Sequence, residues 1–229
     1  MNTLNVVRKS GKTMLGVLLL ALTVVACAGG ATPPPDDGGN GGGNGGGGNG
    51  EPDRTIVGES FSGSLEVPAD NHYELVNVNI GDNLELRRGA SVTMTDGTVE
   101  GNVQLFGAAS FYATGTRIDG NVQAEDGNNV SVRLTDVRAD NVQTKRTGEL
   151  IVTGGRMDGN IQAEDGGLVR ISGVTVDGDV QLENNSGGVT VENNTIDGNL
   201  QCESNVPTPI GGNNIVRGNA EGQCASLAP

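Results

Sequence analysis

A five-residue phrase that returns every 19 or 20 residues constrains this chain more than any other feature. At residues 119–123 it reads Asp-Gly-Asn-Val-Gln, and close copies follow along the chain. A fixed period of this length is typical of a repeat architecture, in which each repeat contacts only its neighbours. The apolar residue of the phrase recurs at eight positions: Leu84, Val103, Val122, Val142, Ile161, Val180, Leu200 and Ala220.

Each period contains three short apolar alternations separated by Gly, Asn or Asp. One period has them at 161–163, 168–171 and 174–176. These segments are rich in β-branched residues and too short for helices, so they predict three strands per coil. Stacking the coils predicts an all-β parallel solenoid of about eight coils, with the apolar column inside. A period of 19 or 20 is not a multiple of six, which disfavours a left-handed helix of hexapeptides.

The pattern resembles the right-handed parallel β-helix domains of the pectin-lyase-like superfamily. It is more similar to uncharacterised exported bacterial β-helix proteins whose coils read Gly-Asn-Val. The resemblance covers about residues 55–224. It implies a right-handed parallel β-helix with three short strands per coil, and it implies little about function.

The N-terminus predicts export. Three basic residues precede an apolar stretch at 14–25, which is too short for a comfortable transmembrane helix. The stretch ends in Val-Val-Ala-Cys at 24–27, which resembles the lipobox of bacterial lipoprotein signal peptides. The resemblance implies a signal peptide at 1–26 and lipidation, including palmitate, on Cys27. Because Ala28 is not the Asp that retains lipoproteins in the inner membrane, it points to the outer membrane or cell surface.

The next segment, 27–50, consists mainly of Gly, Asn, Pro and Asp and cannot bury a core. We interpret it as a flexible tether with a root-mean-square reach of about 25 Å. Residues 51–229 then form the β-helix domain, with an N-terminal cap and a clamped C-terminal end.

The charge balance excludes one class of partner. The chain has a formal net charge of −14, and cleavage before Cys27 would leave 11 Lys and Arg against 28 Asp and Glu. A surface this acidic lacks the positive footprint that nucleic acid requires.

Two polar columns accompany the buried one. Asn83, Asn102, Asn121, Asn141, Asn160, Asn199 and Asn219, with Asp179 standing in once, predict a ladder of turn amides. We expect the Gly before each Asn to supply a backbone angle that other residues resist. Six of the seven glutamines form an outward column, Gln104, Gln123, Gln143, Gln162, Gln181 and Gln201. This column is either a structural amide ladder or a face that binds an extended polysaccharide.

Charged residues also align. Lys145 and Arg146 lie between coils that carry Glu125-Asp126 and Glu164-Asp165, so we expect ion pairs across the strand spacing. Those pairs count against a calcium site there. One step is irregular, since Val137 to Val142 spans five residues where the other coils have four, which predicts a bulge beside Arg138.

Two cysteines remain after Cys27. Cys202 and Cys224 lie in the last two coils of an exported chain, so we predict a disulfide. A metal pair is disfavoured because the sole histidine, His72, lies at the other end.

Enzyme activity is not expected, and a polysaccharide lyase or hydrolase is the less favoured alternative. The acids Asp119, Asp158, Asp177 and Asp197 recur once per coil, as structural residues do, whereas catalytic residues interrupt a repeat. The sequence therefore predicts no cofactor and no metal. The favoured function is a rigid, acidic, lipid-anchored envelope rod that acts through envelope or extracellular contacts with protein. The alternative is polysaccharide binding on the glutamine face. We interpret Phe106, Phe111 and Tyr112 as an N-terminal core layer, and a small sugar platform is the second interpretation.

Overall fold

The computed structural model describes residues 51–107 and 109–228, and every strand pairing in that part of the chain is parallel. The strands stack as a β-solenoid of about nine turns, because the apolar column begins one coil earlier than expected, at Leu65. The predicted all-β parallel solenoid is therefore confirmed, and its right-handedness stays a prediction. Among the described residues, no helix is long and apolar enough to cross a membrane.

The strands in chain order are β1 (Arg54–Val57), β2 (Ser60–Phe61), β3 (Leu65–Val67), β4 (His72–Ile80), β5 (Leu84–Leu86), β6 (Ser91–Val99), β7 (Val103–Phe106), β8 (Ser110–Thr114), β9 (Arg117–Ile118), β10 (Val122–Thr135), β11 (Arg138–Ala139), β12 (Val142–Thr153), β13 (Arg156–Met157), β14 (Ile161–Glu164), β15 (Leu168–Ser172), β16 (Thr175–Val176), β17 (Val180–Glu183), β18 (Val189–Glu192), β19 (Thr195–Ile196), β20 (Leu200–Glu203), β21 (Ile210–Gly212), β22 (Ile215–Val216) and β23 (Ala220–Gly222).

These strands form three sides. Side 1 contains β3, β5, β7, β14, β17, β20, β23 and the starts of β10 and β12. Side 2 runs from β1 to β21 and side 3 from β2 to β22. We call the corner that leads into side 1 corner A, the one between sides 1 and 2 corner B, and the one between sides 2 and 3 corner C. Each side turns alternate residues inward, so the core is a set of aliphatic columns.

The side 1 column illustrates the core. Its members from Leu84 to Leu200 have no solvent exposure. Each such burial stabilises the fold by roughly 1.5–3 kcal/mol before entropy is counted. Phe111 is the one fully buried aromatic residue in the described chain. Small aliphatic layers therefore replace the aromatic core of an ordinary globular domain.

Corner A contains the predicted asparagine ladder. The side-chain oxygen of Asn83 accepts the backbone N–H of Asn102 at 2.8 Å, and this bond recurs from coil to coil. Asp179 accepts the N–H of Asn199 in the same way, at 2.6 Å. Because the bond needs only an acceptor oxygen at this position, aspartate replaces asparagine without breaking the ladder.

The glycines of corner A have a different role from the one expected. No glycine of this column has a positive φ, so the prediction that these glycines supply a special backbone angle is wrong. The glycines are Gly101, Gly120, Gly159, Gly178, Gly198 and Gly218. A Cβ on Gly120 would instead lie 2.7 Å from the carbonyl oxygen of Gly101 and 2.8 Å from Oδ1 of Asn102. These glycines allow adjacent coils to pack closely around the asparagine ladder.

The predicted bulge beside Arg138 is also misplaced. Arg138 is in register with Arg117 and Arg156, and the irregularity lies between Gly127 and Ser131 on β10. Two residues are added at corner B, and the turn from Ala139 to Val142 lacks the usual glycine. Two added residues and one omitted glycine lengthen the period by only one residue. The period alone therefore reveals neither the insertion nor the omission.

Corner C repeats the same backbone conformation from coil to coil. One residue in each coil has a left-handed backbone, with φ between 52° and 68°. Only Gly, Asn and Asp occupy this column, since these residues adopt the left-handed region most readily. Its members are Gly58, Asn77, Asp96, Gly115, Asp136, Gly154, Gly173, Asn193 and Asn213.

Candidate functional site

The glutamine column is a chain of amide hydrogen bonds on side 1. Gln143 Nε2 donates to Gln162 Oε1 at 3.2 Å, and Gln162 Nε2 donates to Gln181 Oε1 at 2.6 Å. Longer bonds, both 3.4 Å, extend the chain to Gln123 and to Gln201. Gln104 continues the column in register with Gln123. The amides therefore bond to one another, which favours the structural ladder among the two interpretations.

The charged residues of corner B pair as expected. Lys145 is in register with Glu125 and Glu164, and its Nζ lies 2.8 Å from Glu164 Oε2. Arg146 pairs with Asp126 in the preceding coil. Both pairs are solvent-exposed, so each stabilises the fold by less than about 1 kcal/mol.

Side 3 carries three stacked arginines. Arg138 is in register with Arg117 of the preceding coil and with Arg156 of the following coil. Arg138 and Arg156 both bond to Asp158, at 2.7 Å and 2.9 Å. The hydrogen bond from Arg138, followed by that from Arg156, holds the pKa of Asp158 below its ordinary value, against the opposing effect of desolvation.

The aromatic residues do not form a sugar platform. Phe111 is buried in the core, whereas Phe106 projects from side 1 and Tyr112 from side 2. The Arg87 guanidinium lies over the Phe106 ring, 5.2 Å from its centroid, and Arg133 lies 5.4 Å from that of Tyr112. Phe106 and Tyr112 therefore lie on different sides of the solenoid, and an arginine lies over each ring.

Arg133 also contacts an acid. Its guanidinium makes two hydrogen bonds to Glu149, and Ser131 Oγ donates to the same carboxylate at 2.6 Å. The hydrogen bond from Arg133 is the main reason that the pKa of Glu149 lies below its ordinary value.

The last coils contain buried asparagines that the repeated phrase does not predict. Asn194 at corner C accepts the N–H of Val174 at 2.9 Å and donates to the carbonyl of Ile171 at 3.0 Å. Asn214 repeats this pattern one coil later, accepting from Asn194 and donating to Val191 and Leu227. Both residues are almost completely buried.

Corner B has an equivalent ladder. Gly166 donates to Asn185, Asn185 donates to Asn205, and Asn205 donates to Gln223, the one glutamine outside the side 1 column. The signal in the sequence is the Asn-Asn pair at 184–185, 193–194 and 213–214. In each pair the first residue has a positive φ and the second is buried.

The disulfide joins the last two coils. Cys202 on β20 and Cys224 are bonded, with their Cα atoms 5.2 Å apart, and neither is solvent-exposed. Cys224 and Leu227 are buried at this end of the core, where Ala220 and Gly222 follow Leu200 and Cys202 in the side 1 register. The predicted lipidation residue, Cys27, lies outside the described residues.

Residues 51–107 and 109–228 contain no group of three His, Cys, Asp or Glu side chains arranged to hold a metal ion. His72 is the first residue of β4, and its backbone N–H donates to Asp53.

Comparison of this chain with protein-family models, curated proteins and solved structures finds no match. The solenoid and its side-chain columns are therefore the basis for any functional proposal.

Proposed function

We propose that this protein is a non-enzymatic envelope lipoprotein that presents a rigid, acidic β-solenoid on a flexible tether. It would act through contacts of the rod with envelope or extracellular protein. The proposal includes a right-handed β-helix of the pectin-lyase-like superfamily, as the coil pattern suggests.

The observation that carries the proposal is the use of polar side chains for stacking. Corner A asparagines, side 1 glutamines and side 3 arginines each bond to the same column in the next coil or to its acids. Residues that recur once per coil and bond to one another support the stack rather than a single chemical event. At about 4.8 Å per coil, nine coils form a rod about 40 Å long.

The proposed cellular location is inferred from the first 50 residues. The Val-Val-Ala-Cys motif supports lipidation of Cys27, and acyl chains anchor a protein stably when two or more are present. The Gly/Asn-rich segment 27–50 would then separate the rod from the lipid head groups. The proposed location is the outer membrane or cell surface.

Metabolic labelling with an alkyne-bearing palmitate tests this proposal. The full chain and its Cys27→Ser variant would be expressed in a lipoprotein-processing bacterium, labelled, and fractionated. We expect label and membrane association in the wild type and neither in the variant, which would remain exported. An unlabelled wild-type chain, or equal membrane association of both proteins, would refute the anchored rod.

The second candidate is binding of an extended polysaccharide to the glutamine face. Each amide bonded within the column still presents one N–H and one lone pair to a ligand. However, no observation favours this use over the ladder itself. A Gln143→Ala/Gln162→Ala variant therefore serves below as a comparison for glycan binding.

A further inference from the structure

The repeat is interrupted most strongly at corner B, beside a concave surface. The two additional residues of β10 between Gly127 and Ser131 form a protruding bulge. The coils that follow have corners made mainly of glycine. The step between them forms a concavity of about 350 Å³, which we call the corner trough, lined by Asn128, Thr147, Gly148, Asp165, Gly166, Gly167 and Ser186.

The glycine floor follows from close packing of the corners. A Cβ on Gly166 would lie 2.9 Å from Asn185 Oδ1, and even shorter contacts would arise at Gly148 and Gly167. The fold therefore leaves this strip of backbone without side chains above it. A second concavity, of about 220 Å³, adjoins the trough at Asn128. The larger concavity alone reaches the lower end of the range for ligand sites.

The trough presents polar groups with free hydrogen-bonding capacity. Among the described residues, the Asn128 side chain makes no hydrogen bond, and Asp165 uses only Oδ1, which accepts from Asn184 at 3.2 Å. Ser186 Oγ donates to the carbonyl of Gly166 at 3.2 Å, so its oxygen can still accept. An amide, a carboxylate oxygen and a hydroxyl are groups that bind the hydroxyls of a sugar.

The backbone of the trough is already paired between coils. The N–H of Gly167 donates to Thr147 and that of Ser186 to Gly166, both at 2.8 Å. A peptide that adds a strand needs a row of unpaired backbone groups, which the trough does not offer. The chemistry therefore favours a glycan over a peptide.

Charge narrows the choice of glycan. The charged residues beside the trough are Asp126, Arg146 and Asp165, and Arg146 is already paired with Asp126. The formal charge of the whole chain is −14, so an anionic polymer would be repelled. A neutral glycan avoids this repulsion.

We propose that the corner trough binds a few sugar residues of an extended neutral glycan. From the coil of Asn128 to that of Ser186 there are three coil spacings, or about 14 Å along the rod. The proposal is independent of the lipid anchor, because it concerns only the solenoid.

The stack itself supplies conservative variants for the test. Asn184 and Val206 occupy, one coil later, the positions of Asp165 and Ser186. The double variant Asp165→Asn/Ser186→Val therefore places accepted residues in the trough while removing a carboxylate and a hydroxyl. The control Thr190→Ile/Thr195→Ile likewise copies Ile210 and Ile215 of the last coil, away from the trough.

The experiment is calorimetric titration of the exported full chain, carrying Cys27→Ser, with its disulfide intact. The probes are cellohexaose, xylohexaose, mannohexaose and chitohexaose. We expect saturable binding of at least one probe, about tenfold weaker in the trough variant and unchanged in the control. Circular dichroism would verify that each variant is folded.

Three outcomes would overturn the proposal. The first is a folded Cys27→Ser chain, without trough substitutions, that binds none of the four probes. The second is binding that the trough variant retains at full strength, including the case in which only Gln143→Ala/Gln162→Ala abolishes it. The third is displacement of the bound sugar from the trough by an extended Gly/Ser/Thr peptide at equal concentration, which would show a peptide site.

Discussion

Corner C is built differently in the early coils and in the last two coils. The position after the left-handed residue is Val78, Val137 or Val174 in three earlier coils and Gly97, Thr116 or Gly155 in three others. In the first coil it is Glu59, which is exposed. In the last two coils it is Asn194 and Asn214. The backbone follows the same left-handed turn in both regions. The same corner can therefore be held from inside by aliphatic contact or by buried amide hydrogen bonds.

The difference coincides with the end of the stack. A coil near the end has fewer neighbours to bury its aliphatic side chains, so directional bonds become more valuable. The asparagine ladders at corners B and C run from the coil that begins at Val180 into the coil that carries Cys202, which the disulfide joins to Cys224. The last coils therefore depend on specific polar and covalent links, whereas the earlier coils depend on hydrophobic stacking.

The largest expected effect is that of Asn194→Ala. This change leaves the N–H of Val174 and the carbonyl of Ile171 buried without partners. At 1–3 kcal/mol for each group, we expect a loss of about 4 kcal/mol in the free energy of unfolding. Urea unfolding monitored by circular dichroism provides the measurement.

Val174→Ala is the matched control, because it occupies the same column one coil earlier. It removes apolar contact but leaves no polar group without a partner, so we expect a loss of only about 1.5 kcal/mol. Equal losses in the two variants would show that the two corners are held in the same way.

The disulfide ranks second. Replacing both cysteines, as Cys202→Ser/Cys224→Ser, should reduce the free energy of unfolding by about 3 kcal/mol, since the bond closes a loop of 22 residues. Hydrogen exchange should increase in β20 and β23 and remain unchanged in β5. An increase spread evenly over all coils would contradict a local clamp.

Corner A offers a prediction in which the two regions should agree. Asn102 and Asn199 each accept one backbone N–H from the next coil, at 2.9 Å in both cases. We therefore expect Asn102→Ala and Asn199→Ala each to destabilise the fold by about 1 kcal/mol. The longer side-chain bonds of Asn102 to Asn83 and Asn121, at 3.3 Å and 3.2 Å, should add only a small difference. Asn102→Asp should be nearly neutral at pH 7, as Asp179 indicates, and thermal unfolding of the three variants would check this.

The smallest effect concerns acid. The pKa of Asp158 and that of Glu149 are lower in the folded protein, mainly because of hydrogen bonds from Arg138 and Arg133 respectively. The stability that these groups contribute is complete above their unfolded values, about 3.9 and 4.3, and is lost as the pH falls through the folded values. In the described chain, the one ion pair with both partners after residue 170 is Arg217 with Asp197.

Acid should therefore loosen the middle coils more than the last ones. Hydrogen exchange at pH 3 and pH 6 would compare β11 and β13 with β19. The free energy of unfolding should fall between pH 6 and pH 3, and Asp158→Asn should reduce this fall by less than about 1 kcal/mol. Glu183→Gln should not change it. Equal increases in hydrogen exchange in both regions would show that the side 3 ion pairs do not cause the acid sensitivity.

The asparagine ladder and the ion pairs of corner B could be predicted because they follow the period. Asn102 meets Asn121 and Lys145 meets Glu164 for the same reason that Val103 meets Val122. In a solenoid, a neighbour in space is one period away in sequence. When one residue type recurs at every period in the sequence, its side chains therefore contact one another in the structure.

The buried amides could not be predicted in this way. Asn184 and Asn185 are the same residue type in adjacent positions, yet the first is exposed and the second is buried. The direction of each side chain depends on the left-handed backbone of the first residue, which the residue type permits but does not require. The misplaced bulge has a similar origin, because two added residues and one omitted glycine almost cancel in the period.

By itself, the sequence determined the parallel solenoid, the three strands per coil and the outward or inward direction of most columns, because a regular period repeats every local contact. Only the tertiary structure decided where the period is interrupted, why the corner A glycines are required, and which polar side chains lie inside. Those features depend on the close approach of adjacent coils, at distances such as the 2.7 Å between a Cβ on Gly120 and the Gly101 carbonyl. Such distances exist only after the coils have stacked.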